Sequence, residues 1–245
     1  MSDIKPGLRT IGVLTAGQVR HDLVARHGEY PAMFARLLAV DPSVRTVAYR
    51  VYADEYPASI EAHDAYLISG SRYSVYDPEP WIERLENYVR ELYAARKPTV
   101  GICFGHQMIG RALGGVTEKV PQGWGIGKQV ATIVRPRPWM QPAAAEYGVF
   151  VSHQDQVTRL PAQAERLAEN VHCPNSMFIL DEFFLAIQGH PEFTGEFAHD
   201  LAAGRAAVYG EDTLARALPT YREAVDSMLV ARWILSFLAT ALAER

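Results

Sequence analysis

The sequence predicts an α/β fold: an open, mostly parallel sheet flanked by helices, with added antiparallel strands and a helical C-terminal tail. Three observations carry this. Up to residue 113, short apolar runs alternate with segments whose apolar residues recur at helical spacing, the pattern of a parallel sheet covered on both faces. After Gly115 the apolar runs follow one another across short turns containing Pro or Gly, as in hairpins added to a sheet edge. Beyond Gly195 the chain reads as helix. With 245 residues and no internal repeat, low-complexity segment or linker, a single domain over 1–245 is expected, with a core over about 8–195 and a helical extension over 196–245.

Each element has its own signal. Residues 10–15 (TIGVLT) are a short apolar run and read as the first strand. Residues 30–40 (YPAMFARLLAV) carry apolar side chains at helical spacing, and residues 44–52 (VRTVAYRVY) are β-branched and alternating. Residues 65–69 (AYLIS) form the next apolar run, ended by Gly70. A period of about 3.6 residues through Trp81, Leu85, Tyr88, Val89 and Leu92 predicts a helix over 81–96. A strand over 98–103 and a helix over 105–113 follow. The later strands are expected at 128–134 (KQVATIV), 147–151 (YGVFV), 176–180 (SMFIL) and 183–188 (FFLAIQ), and residues 225–242 are an apolar stretch within the helical tail.

Composition removes several function classes. A formal net charge of −4 gives no basic field for a phosphate backbone, so no nucleic-acid partner is expected. No apolar run approaches the roughly 18–20 residues that span a bilayer, so no membrane partner is expected either. The N-terminal MSDIKPGLRTIGVLTAG has its apolar part interrupted by Gly12 and Thr15 and reads as a first strand, not a secretory leader. Two cysteines, Cys103 and Cys173, imply no disulfide framework, and a reducing cytoplasm is the expected compartment.

The chemistry centres on residues 99–107, TVGICFGHQ, where a cysteine stands between two glycines at the junction of a strand and a helix. Functional groups of open parallel sheets gather beyond the carboxyl ends of the strands, and Cys103 falls at such an end. G-x-C-x-G has the form of a nucleophile elbow, a sharp turn that lifts the side chain clear of the sheet. The following helix aims its free N–H groups at the sulfur, which favours thiolate. The alternative is a buried core cysteine beside a glycine turn. A nucleophile needs a base, and the base needs an orienting group. His190, in I-Q-G-H-P-E-F at 187–193, also ends an apolar strand. Pro191 pushes it toward extended geometry, which places Glu192 on the same side of the chain as the imidazole. A carboxylate there fixes the tautomer and stabilises the imidazolium. His106 belongs to the new helix and is expected to point elsewhere, while His21, His27, His63 and His199 are expected at the surface. Cys173 has no base nearby in sequence and reads as structural. No paired Cys/His spacing marks a metal site, and no cofactor is expected.

Taken together, four motifs resemble the class I glutamine amidotransferases, the Cys-His-Glu family whose glutaminase domains serve GMP synthetase, anthranilate synthase and carbamoyl-phosphate synthetase. They are I-S-G-S-R-Y-S-V-Y-D at 68–77, G-I-C-F-G-H-Q at 101–107, S-H-Q-D-Q-V at 152–157 and Q-G-H-P-E-F at 188–193. They occur in the family's order and span the chain from the first strand to Phe193. The resemblance implies a flavodoxin-like sheet and the catalytic residues Cys103, His190 and Glu192, with Cys103 attacking the side-chain amide of glutamine to give a thioester. It implies an oxyanion hole from the backbone N–H of Phe104 and of Ser71. The usual Gly-Gly-Pro of that second loop is here Gly70-Ser71-Arg72, a departure that leaves a backbone donor in place. Gly70, Gln107, Ser152, His153 and Gln154 match positions that hold the substrate's amino and carboxylate groups.

No synthetase domain accompanies these motifs. Three readings follow: an amidohydrolase acting on glutamine or a γ-glutamyl small molecule, similar to γ-glutamyl peptidases; a glutaminase subunit passing ammonia to a separate synthetase; or an inactive amidotransferase-like binding module. Gln122–Gly127 and residues 73–81 (YSVYDPEPW) look like the stand-alone group, although Trp81 and Trp124 also suit a core. Residues 68–81 have the composition to bind a group beyond the γ-amide, with Arg72 for a carboxylate and Tyr73, Tyr76 and Trp81 for apolar contact. The same residues also suit a docking patch.

Overall fold

The computed structural model describes residues 7–245; Met1–Pro6, the start of the stretch weighed above as a leader, lie outside the described residues. The first part alternates as its sequence pattern requires: β1 (Thr10–Thr15), α1 (His21–His27), α2 (Tyr30–Leu38), β2 (Arg45–Arg50), β3 (Ala65–Ile68), α3 (Pro80–Ala94), β4 (Thr99–Ile102) and α4 (Phe104–Ala112). Then come β5 (Val116–Lys119), β6 (Gly125–Ile133), β7 (Glu146–His153), β8 (Asp155–Arg159), β9 (Ala164–Glu169), β10 (Met177–Leu180) and β11 (Phe184–Ile187). The chain closes with α5 (Gly195–Ala203), α6 (Ala206–Tyr209), α7 (Glu211–Ala217) and α8 (Ser227–Ala243).

Nine strands form one sheet in the order β2-β1-β3-β4-β11-β10-β9-β6-β7. β2, β1, β3, β4 and β11 run parallel, and the strands beyond β11 are antiparallel. Burial explains the pattern read in the sequence. All residues of β3, β4, β10 and β11 are buried, and strands covered on both faces are continuous apolar runs. β2 alternates because it is the edge, with residues such as Val47 left exposed. Pro31 and Pro80 sit in the first turns of α2 and α3, where a missing N–H costs nothing. Thr194 caps α5 by accepting from Phe197 N–H at 3.2 Å.

Four elements escaped the sequence pattern: α1, β5, β8 and β9. β9 (AERLAE) is largely polar and gains its place from its neighbours β10 and β6, and β5 pairs with β8 in a separate two-stranded sheet. The helical tail also does more than extend the chain. Val230, Trp233, Ile234, Phe237 and Leu238 of α8 are buried in the same apolar cluster as β1, β3 and β4, and Trp233 Nε1–H donates to Pro142 O at 2.9 Å. Among the described residues no single helix is long and apolar enough to cross a membrane.

His63 corrects one expectation. It is buried, its Nε2 lies 2.8 Å from Tyr49 Oη, and burial lowers its pKa. His27 is also largely covered, with Nε2 2.9 Å from Asp200 Oδ2.

Candidate active site

β4 ends at Ile102 and α4 begins at Phe104, so Cys103 alone makes the turn. It does so at φ 52° and ψ −99°, a conformation that a non-glycine residue adopts only when its surroundings impose it. The flanking glycines impose it by close approach. A Cβ on Gly101 would lie 2.4 Å from Gly105 O, and one on Gly105 would lie 2.3 Å from Ile68 O. Backbone occupies the space a side chain needs at both positions. Cys103 N–H donates to Ile187 O at 2.9 Å, tying the elbow to the end of β11, and Cys103 O accepts from Gln107 N–H at 3.0 Å. Phe104 opens the helix, where the first N–H groups have no acceptor within the helix itself.

β11 leads directly into Gln188–Gly189–His190. His190 N–H donates to Phe150 O at 2.8 Å, bridging to β7. Its ring stacks on Phe193 with centroids 3.9 Å apart and planes 9° from parallel. On its other flank lies Gly70, where a Cβ would come within 2.8 Å of His190 Cε1 and 3.8 Å of Cys103 Cβ. A side chain at Gly70 would therefore intrude on His190 and reach Cys103. His190 Nδ1 is 2.7 Å from Glu192 Oε1, with both side chains buried. An ionised carboxylate only accepts, so Nδ1 carries the proton toward Glu192. Burial alone would lower the His190 pKa, but the neighbouring Cys103 and Glu192 outweigh it, and the pKa is raised.

Cys103, Ser71, Gln107, Ser152, His153 and Gln154 line one cavity of about 140 Å³, whereas Gly70, Phe104, His190 and Glu192 are not among its walls. Gln107 is held by donating Nε2–H to Asp155 O (2.8 Å) and to Gln188 Oε1 (3.2 Å). Ser152 Oγ lies 3.0 Å from Tyr209 Oη. The imidazole of His153 is buried, and its Nδ1–H donates to Asp155 O at 3.1 Å. Burial and the neighbouring His172 push its pKa down to about 3, so it is neutral at pH 7. Ser71 shows how the departure from the usual glycine is accommodated: its Oγ accepts from Tyr73 N–H at 3.2 Å, closing a side-chain turn that holds the loop.

Outside this cavity, His106 faces the core with Nε2–H donating to Asn175 O at 2.8 Å. Cys173 is buried and its thiol is pushed up to about 12 by burial. Tyr76 turns aside to donate to Asp155 Oδ1 at 2.8 Å, while Trp81 packs on Phe104 with centroids 5.7 Å apart.

Three cavity residues were not singled out from the sequence: Ser74, Asp155 and Arg205. Asp155 lies within the S-H-Q-D motif, and its carboxylate receives Tyr76 and Ser74 hydroxyls while its carbonyl receives Gln107 and His153. Arg205 lies beyond all four motifs, in the turn between α5 and α6, and carries no local signal of its role.

Comparison with known proteins places this fold in an amidotransferase-type class of enzyme, with amide hydrolysis supported at the level of the family. The chain belongs to the class I glutamine amidotransferase family, whose description matches residues 33–201. It is 31% identical over 182 residues to γ-glutamyl peptidase 4 of Arabidopsis thaliana, covering 71% of this chain and 72% of that one. The match to γ-glutamyl peptidase 3 of the same plant, at 30% identity, spans 62% of this chain and 65% of the relative. It is also 28% identical over 145 residues to a γ-glutamyl-L-1-hydroxyisopropylamide hydrolase of a Pseudomonas species, covering 55% and 48% of the two chains. The crystal structure of a glutamine amidotransferase from Methylobacillus flagellatus shares the fold, with a TM-score of 0.73 at 18% identity over 97% of this chain and 95% of that one.

Proposed function

We propose that this protein hydrolyses the γ-amide of γ-glutamyl compounds through a covalent Cys103 thioester, with His190 and Glu192 completing the triad. The observation that carries the reading is the buried His190–Glu192 hydrogen bond at 2.7 Å beside a cysteine held at positive φ. In the first half-reaction the Cys103 thiolate attacks the amide carbon, and the carbonyl oxygen takes up the negative charge. The backbone N–H groups of Phe104 and Ser71 are the candidate donors to that oxygen, an interaction that strengthens as the charge develops. His190 gives its Nε2 proton to the departing nitrogen, the C–N bond breaks, and ammonia or an amine leaves. In the second, His190 takes a proton from water, hydroxide attacks the thioester carbon, the C–S bond breaks and glutamate is released. Gln107 and the backbone of Ser152–Gln154 are candidates to hold the substrate's amino and carboxylate groups at the far end of the cavity. No cofactor takes part in this reading, and a reducing cytoplasm suits its free thiol.

The peptidase-type relatives favour a self-sufficient hydrolase over a glutaminase subunit that passes ammonia to a synthetase, and the cavity beside Cys103 favours an active enzyme over a binding module. The test is kcat/KM of the isolated chain on glutamine and on a panel of γ-glutamyl dipeptides. Turnover of dipeptides without a partner supports the hydrolase. Uniformly negligible rates that rise only when a synthetase is added would make the chain an ammonia donor instead.

A further inference from the structure

The cavity around Cys103 does not end at the reacting sulfur. Arg72, Tyr73 and Arg205 also wall a second cavity of about 600 Å³, formed by the turn after β1, α1, Tyr52 and Trp81. A leaving ammonia needs only about the volume of a water, roughly 30 Å³. The second cavity is of the size that takes a small organic ligand, about 300–1,000 Å³. Its charge decides what kind.

Arg20 is neutralised by a forked contact with Asp22 at 2.6 and 2.8 Å. Glu29 accepts from Val19 N–H at 2.9 Å, and Glu79 and His21 also reach this space. Neither Arg72 nor Arg205 has a carboxylate within ion-pair distance among the described residues. Arg72 donates to Tyr73 Oη at 3.1 Å and lies against that ring. Arg205 is half-buried and its backbone is fixed: its N–H donates to Ala202 O, and its carbonyl accepts from Val208 and Tyr209 N–H. Tyr209 in turn contacts Ser152 in the wall of the first cavity. Arg72 and Arg205 thus stand at the shared wall. Glu29 and Glu79 lie in the larger cavity beyond it, and the one acidic residue of the smaller cavity, Asp155, is taken up by the Ser74 and Tyr76 hydroxyls.

We propose that Arg205, together with Arg72, binds a carboxylate on the amine half of the substrate. The preferred substrates are then γ-glutamyl amides of amino acids or peptides that keep a free carboxylate, with the rest of the amine in the larger cavity. A guanidinium pairs with a carboxylate in a planar fork, and a partly enclosed site strengthens that pairing. Free glutamine, whose leaving group is ammonia, has nothing to place there and forgoes this binding energy. The inference rests on the hydrolase reading above and adds to it the class of leaving group and a residue that selects it.

The experiment compares γ-glutamylglycine with γ-glutamylglycinamide, which differ only in that carboxylate. It uses kcat/KM for the wild type, Arg205→Gln, Arg205→Lys and Arg72→Gln, and titration calorimetry of both compounds on Cys103→Ala. The wild type should favour the carboxylate by about tenfold or more, mainly through KM. Arg205→Gln should remove most of that ratio by weakening the carboxylate substrate alone, and Arg205→Lys should restore part of it. A merely structural role for Arg205 would weaken both compounds together and leave the ratio intact. A wild-type ratio near one, or a ratio untouched by Arg205→Gln, overturns the inference while leaving the hydrolase reading in place. Selective binding to Cys103→Ala without turnover by the wild type would do the reverse.

Discussion

Replacing Glu192 by Gln isolates the electrostatic part of the proposed triad, because the amide keeps an oxygen that can accept from His190 Nδ1. In the native chain that contact is 2.7 Å long, between side chains that are 5% and 0% exposed, so solvent screens it little. A hydrogen bond to a charged group contributes about 1.5–3 kcal/mol and a neutral one about 0.5–1.5. The substitution therefore removes roughly 1–2 kcal/mol of imidazolium stabilisation, or about one unit of His190 pKa. The sign is fixed by cause: Glu192 is one of the charges that raise the His190 pKa, so its neutralisation lowers it. The rate should fall at least about tenfold, and by as much as ~10⁴ if the amide turns its N–H toward Nδ1 and selects the wrong tautomer. The assay is NMR titration of the labelled histidine beside a pH profile of kcat/KM. Activity that requires imidazolium is lost as pH rises through the His190 pKa, so the alkaline limb of Glu192→Gln should move to lower pH. His190→Ala should cost more than Glu192→Gln. An unchanged or raised His190 pKa in Glu192→Gln, or full activity of His190→Ala, would refute the assignment.

A glutamine-like diazo-ketone should label Cys103 and spare Cys173, whose thiol is buried and pushed up to about 12; peptide mapping that finds Cys173 modified instead would contradict the site. Gly105→Ala should lower the melting temperature by the equivalent of about 1–3 kcal/mol, since its Cβ would meet Ile68 O at 2.3 Å; unchanged stability would show that the elbow has room to move. Asp155→Ala should loosen residues 71–77, seen as faster proteolysis there, and cut kcat/KM by roughly tenfold or more through misplacement of the Ser71 donor. Burial lowers the pKa of His106 to about 4, and its Nδ1 has no partner among the described residues. Below the unfolded value of about 6.5 the unfolded chain therefore takes up a proton that the folded chain refuses, and His106 should contribute a fall in stability of about 1.4 kcal/mol per pH unit from about 6.5 toward 4, alongside the fall that His153 contributes over the same range. Urea unfolding across that range should show a shallower decline for His106→Gln; an identical slope would remove His106 as the cause.

What the sequence made legible, and what it did not, follows from the range of the forces involved. The elbow is a local object: Gly101, Cys103 and Gly105 are close in the chain, and the backbone approaches that require glycine occur within or next to their own strand and helix. His190 and Glu192 are legible for the same reason, because extended geometry fixes the relation of i and i+2. β3, β4 and β11 declare themselves by near-continuous apolar runs, since burial on both faces admits a polar side chain only where it is paired, as Thr99 is with Lys97 O. β9 and β8 do not, because their pairing partners, rather than their own composition, hold them in the sheets. The surface reading of His63 failed for a similar reason. A histidine in a polar stretch gives no sign that Tyr49, on β2 at the far side of β1, will take its Nε2. Arg205 is the extreme case: its place beside Cys103 depends on α5 packing back toward α1 and on a turn anchored through Tyr209 to Ser152. The residues proposed to break the bond thus lie in short motifs, whereas Arg205, proposed to help choose what is attached to it, comes from the far end of the chain. A family likeness can reveal the first without the second, and substrate choice in such an enzyme has to be read from the assembled cavity.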